Sequence, residues 1–320
     1  MNIIITGSVA YDYLMTFPGK FQEHILADQL DTISLSFLVD KMVRLRGGIA
    51  PNISYTMALL GGNPKPFATV GTDFEEYRLW LEGKGVDTTY LKVVEDKYTA
   101  SFFATTDQVN SQLASFYPGA MGDASIMSIK DLGFKPDLVV VSPNDPAAMD
   151  KFVAECKEEG IDYLYDPSQQ LARIDGETIR TGVEGAKFLF VNEYEFGLIQ
   201  KKSGLSEEDV ISQVEISVVT LGEKGSVIYQ GENKINISAV VPDKIVDPTG
   251  AGDAFRGGFL TGYNKGWDLQ TCGQMGSLTA TYCLENDGPQ GHHYTKEMYV
   301  KRYREHFNDN GLLDELLVNE

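Results

Sequence analysis

Positive charge is scarce in this sequence. Its 320 residues carry 27 Lys+Arg against 46 Asp+Glu, a formal net charge of −19. Nucleic-acid binding draws its affinity from clustered cations that displace counterions, and no basic run is present, so a nucleic acid polymer is excluded as a partner. The same shortage argues against docking on an anionic membrane. Cysteine is sparse too. Cys156, Cys272 and Cys283 form no C-x-x-C pair, and an odd number cannot close into a disulfide framework, which points to a reducing cytoplasm. No stretch approaches the ~18 consecutive apolar residues of a membrane span. The start, Met1-Asn2-Ile3-Ile4-Ile5-Thr6-Gly7, lacks the basic region and the apolar length of a signal peptide. His24, His292, His293 and His306 show no metal-ligand spacing and read as solvated surface residues.

What is present is an alternation of short, apolar, β-branched runs with amphipathic stretches, the pattern of β-α units feeding a largely parallel sheet. Candidate buried strands are residues 3–8, 66–70, 138–142, 161–165, 188–191 and 218–221, with helical patterns at 51–60, 74–84, 146–159, 194–202 and 207–213. Two regions break the rhythm: 13–46, which mixes loop and strand, and 98–117, which reads as two alternating strands around Asp107-Gln108-Val109-Asn110. We expect these two to meet in space as a small β element projecting from the sheet. Beyond residue 253 the chain becomes mostly helical, at 254–265, 269–284 and 295–307. No repeat or linker divides it, so residues 1–320 read as a single α/β domain with a β lid.

Chemistry concentrates in Asp247-Pro248-Thr249-Gly250-Ala251-Gly252-Asp253-Ala254-Phe255-Arg256-Gly257-Gly258-Phe259. A proline turn and small residues ahead of a helix starting near Asp253 would present free amides and a positive helix end to an anion such as a phosphate. A carboxylate there can take a proton from an attacking hydroxyl. The plainer alternative makes Asp253 a helix cap. Three other stretches follow the same logic. Arg46-Gly47-Gly48-Ile49-Ala50-Pro51-Asn52 puts an amide side chain on the first turn of a helix, where it can bond a polyol. Asn192-Glu193-Tyr194-Glu195 places an amide and a carboxylate on one helical face after a strand. Thr220-Leu221-Gly222-Glu223-Lys224-Gly225 supplies glycines for tight turns beside a nucleotide.

Together these segments resemble the ribokinase-like (pfkB) carbohydrate and nucleoside kinase family over essentially the whole chain. Within it, Phe102-Phe103-Ala104-Thr105-Thr106-Asp107, Ala114-Ser115-Phe116-Tyr117-Pro118-Gly119-Ala120-Met121 and Asp166-Pro167-Ser168-Gln169-Gln170-Leu171-Ala172-Arg173 are similar to the bacterial adenosine kinases. Val70-Gly71-Thr72-Asp73-Phe74-Glu75-Glu76 departs from the family, lacking its usual glycine. The resemblance implies a ribokinase-like α/β fold and ATP-dependent phosphorylation of the 5′-hydroxyl of adenosine. Asp253 would be the catalytic base, with the amides of Gly250, Ala251 and Gly252 around the transferred phosphoryl group. Asn192 and Glu195 would position Mg²⁺ through water, Thr220, Gly222 and Gly225 would line the ATP site, and Asp247 and Thr249 resemble positions near K⁺.

Asp12 and Asn52 would bind the ribose hydroxyls, with Gly48 permitting close approach and Ser8 as a secondary candidate. Phe102 and Phe116 would stack on the base or pack the lid, while Phe103 points to the opposite face and joins the core. Gln169, Gln170 and Arg173 follow a strand end, where an amide can read a base edge and an arginine can clamp a phosphate. Ser36 lies on the projecting element, through which the resemblance implies a homodimer. Two rivals stand beside this reading: a sugar kinase of the same family, and a catalytically idle nucleoside-binding protein.

Overall fold

The computed structural model describes residues 1–25, 31 and 34–318. Thirteen strands occur among them. The first three are β1 (Ile3–Thr6), β2 (Ala10–Thr16) and β3 (Lys41–Gly47). Next come β4 (Lys65–Val70), β5 (Leu91–Val93), β6 (Ala100–Thr106) and β7 (Gln112–Tyr117). β8 (Leu138–Val141), β9 (Asp162–Tyr165), β10 (Phe188–Asn192) and β11 (Ile216–Thr220) follow, and β12 (Ser226–Gln230) and β13 (Asn233–Ile237) end the series.

The main sheet runs β13-β12-β11-β10-β9-β8-β1-β4-β5. Strands β11 through β5 in that order are mutually parallel, whereas β12 and β13 are antiparallel additions at one edge. Side chains of a strand alternate between faces, and the central strands divide their residues accordingly. Ile3, Ile5, Leu138 and Val140 join one buried cluster, and Ile4, Val139 and Val141 join the other. Both faces are therefore covered, which is why these strands read as unbroken apolar runs.

The cover is supplied by nine helices among the described residues. α1 (Ile49–Leu59), α2 (Glu75–Glu82), α3 (Pro146–Glu159) and α4 (Gly176–Val183) come first. They are followed by α5 (Glu193–Ser203), α6 (Glu207–Ser212), α7 (Ala251–Asn264), α8 (Leu269–Leu284) and α9 (Lys296–His306). α3 shows how locally these are specified. Asp145 accepts from the amides of Ala147 and Ala148, Pro146 occupies the first helical position, and Gly160 ends the helix in the left-handed region. No helix of the described residues is long and apolar enough to cross a membrane.

The second sheet is the expected lid, in order β3-β2-β6-β7. Its register aligns Asp12 with Phe102 and Phe102 with Phe116, so all three share one face. On the other face Phe103 stacks on Tyr13 at 4.9 Å. That ring is half-buried rather than part of the core. At the turn, Asp107 accepts from the amides of Val109, Ser111 and Phe21. Among the described residues β7 is an open, fully exposed edge. Ser36 is exposed on a segment without regular structure, and Ile33 beside it lies outside the described residues.

A further expectation fails in the fold. His292 is not at the surface but fully buried, its Nε2 3.1 Å from Thr56 Oγ1. Burial pushes its pKa down to about 4, keeping the ring neutral. Adjacent residues diverge in an irregular segment, so His293 can remain exposed while His292 points inward.

Candidate active site

The carboxyl ends of β9, β10 and β11 open into a cavity of about 450 Å³, roofed by the lid and floored by the first turns of α1 and α7. Ser8, Asp12, Gly48, Asn52, Phe102, Phe116, Gln169, Gln170, Asn192, Glu195, Thr220, Thr249, Gly250, Gly252 and Asp253 all line it. Met121, Pro143, Arg256 and Pro289, to which no role attached in the sequence, line it too. Ligand sites at this end of an open α/β sheet are expected, because the loops there converge while the helices start.

α7 begins at Ala251, three residues before the expected 254, with Gly250 (φ 82°) as its cap and no side-chain cap. Asp253 is therefore in the first turn and does not cap the helix, which removes the plainer alternative for it. Its Oδ2 accepts from Asn52 Nδ2 at 2.8 Å. Asn52 Oδ1 in turn accepts from Gln290 Nε2 at 2.7 Å, and the same Gln290 nitrogen donates to the Tyr77 hydroxyl, which bonds Gly47 O. Burial raises the Asp253 pKa to about 6, against the pull of Arg256 and the Asn52 hydrogen bond. Asp12 is also raised to about 6, by burial and by the nearby Asp247 charge.

The loop ahead of α7 carries unused donors. The Ala251 amide is spent on Pro248 O at 3.3 Å, whereas the amides of Gly250, Gly252 and Asp253 have no partner among the described residues. The turn directs the Ala251 N–H onto the Pro248 carbonyl, so the expected Ala251 donor is spent, whereas the Asp253 N–H remains free. Ala251 does not line the cavity. Such free amides at a helix start form an anion cradle. Behind them, Arg256 grips the buried Asp166 with Nη2 at 2.7 Å from Oδ1 and Nε at 2.6 Å from Oδ2. Burial pushes the Asp166 pKa up to about 7, and Arg256 opposes the rise.

Several expected residues have other duties. Asn192 caps α5 by accepting from the Glu195 amide, and Glu195 Oε2 accepts from the Asn192 amide, each at 2.8 Å. Gly222 and Gly225 turn the chain after β11 but do not line the cavity. At Gly225 (φ 91°) a Cβ would lie 2.0 Å from Ile237 O, so close strand packing explains that glycine. Arg173 is exposed away from the cavity. Asp247 does not line it either; its two oxygens accept from the amides of Thr249 and Gly288 and tie the cradle to the 288–290 loop. Gln170 donates to Asn144 O at 2.7 Å and leaves Oε1 buried without a partner.

Residues 7–295 match the sequence profile of the pfkB family carbohydrate kinases. The chain belongs to this family. It is similar to the nucleoside kinase of Methanocaldococcus jannaschii, 30% identical over 310 residues that span 95% of this chain and 97% of that one. It also resembles the adenosine kinase of Saccharomyces cerevisiae, 26% identical over 88% of this chain and 92% of that one. Among solved structures, Burkholderia thailandensis nucleoside kinase in complex with inosine superposes with a TM-score of 0.85 at 35% identity, covering 95% and 98% of the two chains. The ribokinase-like fold, with its large sheet and separate lid, is thereby shared, and the chain is a kinase.

No sequence motif gave a role to Arg256, Asp166, Gln290 or Tyr77, which the fold joins to the site. Arg256 had a signal, since it stands three residues after Asp253 and thus on the same helical face. Asp166 stood at a strand end and opened a quoted string. Gln290 had none, because it comes from an irregular segment that the fold alone brings to Asn52.

Proposed function

We propose that this kinase transfers the γ-phosphoryl group of ATP to the 5′-hydroxyl of a purine nucleoside, adenosine foremost, giving AMP and ADP. The observation that carries the reading is the paired Phe102 and Phe116 on the lid face, across the cavity from Asn52 and Asp253 and next in register to Asp12. Aromatic rings fit a base, and Asp12 with Asn52 fits two ribose hydroxyls, one accepting and the other also able to donate. The amides of Gly250, Gly252 and Asp253 would hold the phosphoryl oxygens, and Asp253 would take the hydroxyl proton as the new O–P bond forms. The lid would exclude water, the competing nucleophile.

Mg²⁺ fits this chain only with the help of phosphates and water. No group of three or more His, Cys, Asp or Glu able to hold a metal occurs among the described residues. Glu195 lines the cavity and spends only Oε2 on its own helix start, leaving Oε1 to bond a water of the metal. The metal would supply charge neutralisation on the phosphates.

ADP release against a panel of nucleosides and sugars tests the reading; a sugar preferred over every nucleoside would overturn it. Phe102→Ala should weaken adenosine binding by roughly 5- to 150-fold, the equivalent of about 1–3 kcal/mol for base stacking, with ribose binding nearly unchanged. Equal losses for both ligands would assign Phe102 to lid packing instead. For the lid we propose a second copy of the chain as partner, since β7 is an edge strand among the described residues and bears exposed Leu113 and Tyr117 on the face away from the cavity. Sedimentation as a monomer at micromolar concentration would refute this.

A further inference from the structure

The cavity poses an electrostatic problem. Its lining holds three carboxylates, those of Asp12, Glu195 and Asp253, yet the proposed nucleotide is a polyanion. Among the described lining residues, Arg256 is the one lysine or arginine. Its placement is rigid. Nη2 donates to Asp166 Oδ1, Nε lies 2.6 Å from Oδ2 in an ion pair without a formed hydrogen bond, and the guanidinium lies 5.9 Å from the centre of the Phe190 ring. Asp166 is itself anchored at the end of β9, its amide bonded to Val141 O.

Two of the three guanidinium nitrogens therefore face the Asp166 carboxylate, one of them through a hydrogen bond. Nη1 has no hydrogen-bond partner among the described residues, and it lies 2.9 Å from the position a Cβ would take at Gly252. Its free N–H groups thus sit against the same glycine whose amide belongs to the anion cradle. An arginine held against a buried carboxylate and offering a free Nη is pre-organised for an oxyanion. A lysine has no equivalent fork.

We propose that Arg256 Nη1 bonds an equatorial oxygen of the transferred phosphoryl group, and that Asp166 is the positioning residue that aims it. The inference rests on the phosphotransfer reading above. In the step concerned, the nucleoside hydroxyl oxygen bonds to the γ-phosphorus and its proton passes to Asp253. The bond from that phosphorus to the β,γ-bridging oxygen breaks, and ADP leaves with the electron pair. Arg256 donates to the equatorial oxygens throughout and gives up no proton. Gly252 follows from this arrangement, since any side chain there would press on Nη1.

The test compares Arg256→Ala, Arg256→Lys, Asp166→Asn and Gly252→Ala with the parent enzyme, after the parent's nucleoside phosphorylation has been established. Arg256→Ala should lose about 10²- to 10³-fold in kcat, with the nucleoside dissociation constant within about threefold of the parent. Added guanidinium should restore part of that activity. Calorimetry should show weaker assembly of ADP, nucleoside and aluminium fluoride, a mimic of the transferring group, with ADP alone bound normally. Arg256→Lys should recover little, and Asp166→Asn and Gly252→Ala, which leave the charge but misplace it, should fall between. If Arg256→Ala does not fold, Gly252→Ala carries the same calorimetric comparison. A kcat within threefold of the parent would overturn the inference, as would equal weakening of ADP and of the mimic complex without guanidinium rescue. Absence of phosphotransfer by the parent enzyme would instead defeat the underlying functional reading.

Discussion

Asp253→Asn is expected to abolish all but about 10⁻² to 10⁻⁴ of kcat while leaving nucleoside affinity within about threefold. The substitution is nearly isosteric, and the new side-chain oxygen can still accept from Asn52 Nδ2, so the cavity keeps its shape. It removes only the proton acceptor. As the proposed base, the same carboxylate should set an acid limit on the parent enzyme. With its pKa raised to about 6, the ionised form is depleted as pH falls, and kcat/KM should drop about tenfold per unit well below that value.

The sign for stability is the opposite. A carboxyl whose folded pKa exceeds its ordinary value of 3.8 binds its proton more tightly in the folded state, so the native protein is relatively favoured as pH falls from 6 toward 4. Above pH 6 the buried charge costs on the order of 1–3 kcal/mol. Asp253→Asn should therefore raise the melting temperature at pH 7 by a few degrees (roughly 2–6 °C) even as it inactivates the enzyme. Near-normal kcat would sink the base assignment. A lowered melting temperature would show that the carboxylate is a structural tie.

Gly250→Ala should bring the second large loss, about 10²-fold in kcat with a destabilisation of roughly 2–4 kcal/mol. Gly250 holds φ at 82°, and a Cβ there would lie 2.3 Å from Pro289 Cβ and 2.8 Å from its Cα. A proline offers no rotamer to escape. Either the first turn of α7 shifts, spoiling the amide cradle, or the 288–290 loop retreats and carries Gln290 away from Asn52. Gly204→Ala is the control: its φ is 74°, yet nothing lies within 4 Å of the added atom. It should cost about 1 kcal/mol and leave kcat unchanged. Matching kinetic losses in the two variants would show that left-handed strain alone, rather than the Pro289 contact, governs activity.

Much of the fold was legible because the parallel strands are buried on both faces and announce themselves as apolar runs. α3 and α8 match their expected ranges to the residue, since Asp145, Pro146 and Gly160 mark the boundaries of the first and Asp268 caps the second. The β12–β13 hairpin escaped notice because edge strands such as Asn233–Ile237 mix polar and apolar residues. α4 was missed because it opens on glycine and runs for eight residues. In the site, short signatures located Asp253, Asn52, Glu195 and the cradle, since their neighbours in sequence are also their neighbours in space. The misplacements share one cause. Gly222, Gly225 and Arg173 stand beside strand ends as expected, but direction and depth at a strand end are set by packing. Gly225 answers to β13 and Arg173 to solvent.

The hydrogen-bonded chain from Gly47 through Tyr77, Gln290 and Asn52 to Asp253 joins residues separated by 213, 238 and 201 positions at its Tyr77–Gln290, Gln290–Asn52 and Asn52–Asp253 links. Contacts of such sequence separation form late, after the loops between them have closed. During refolding, helical circular dichroism should thus recover before enzymatic activity does, with the orientation of Asn52 among the last features to appear. A chain that closes these ties last should gain an oriented Asp253, and with it the ability to spend ATP, only when the rest of the fold is in place.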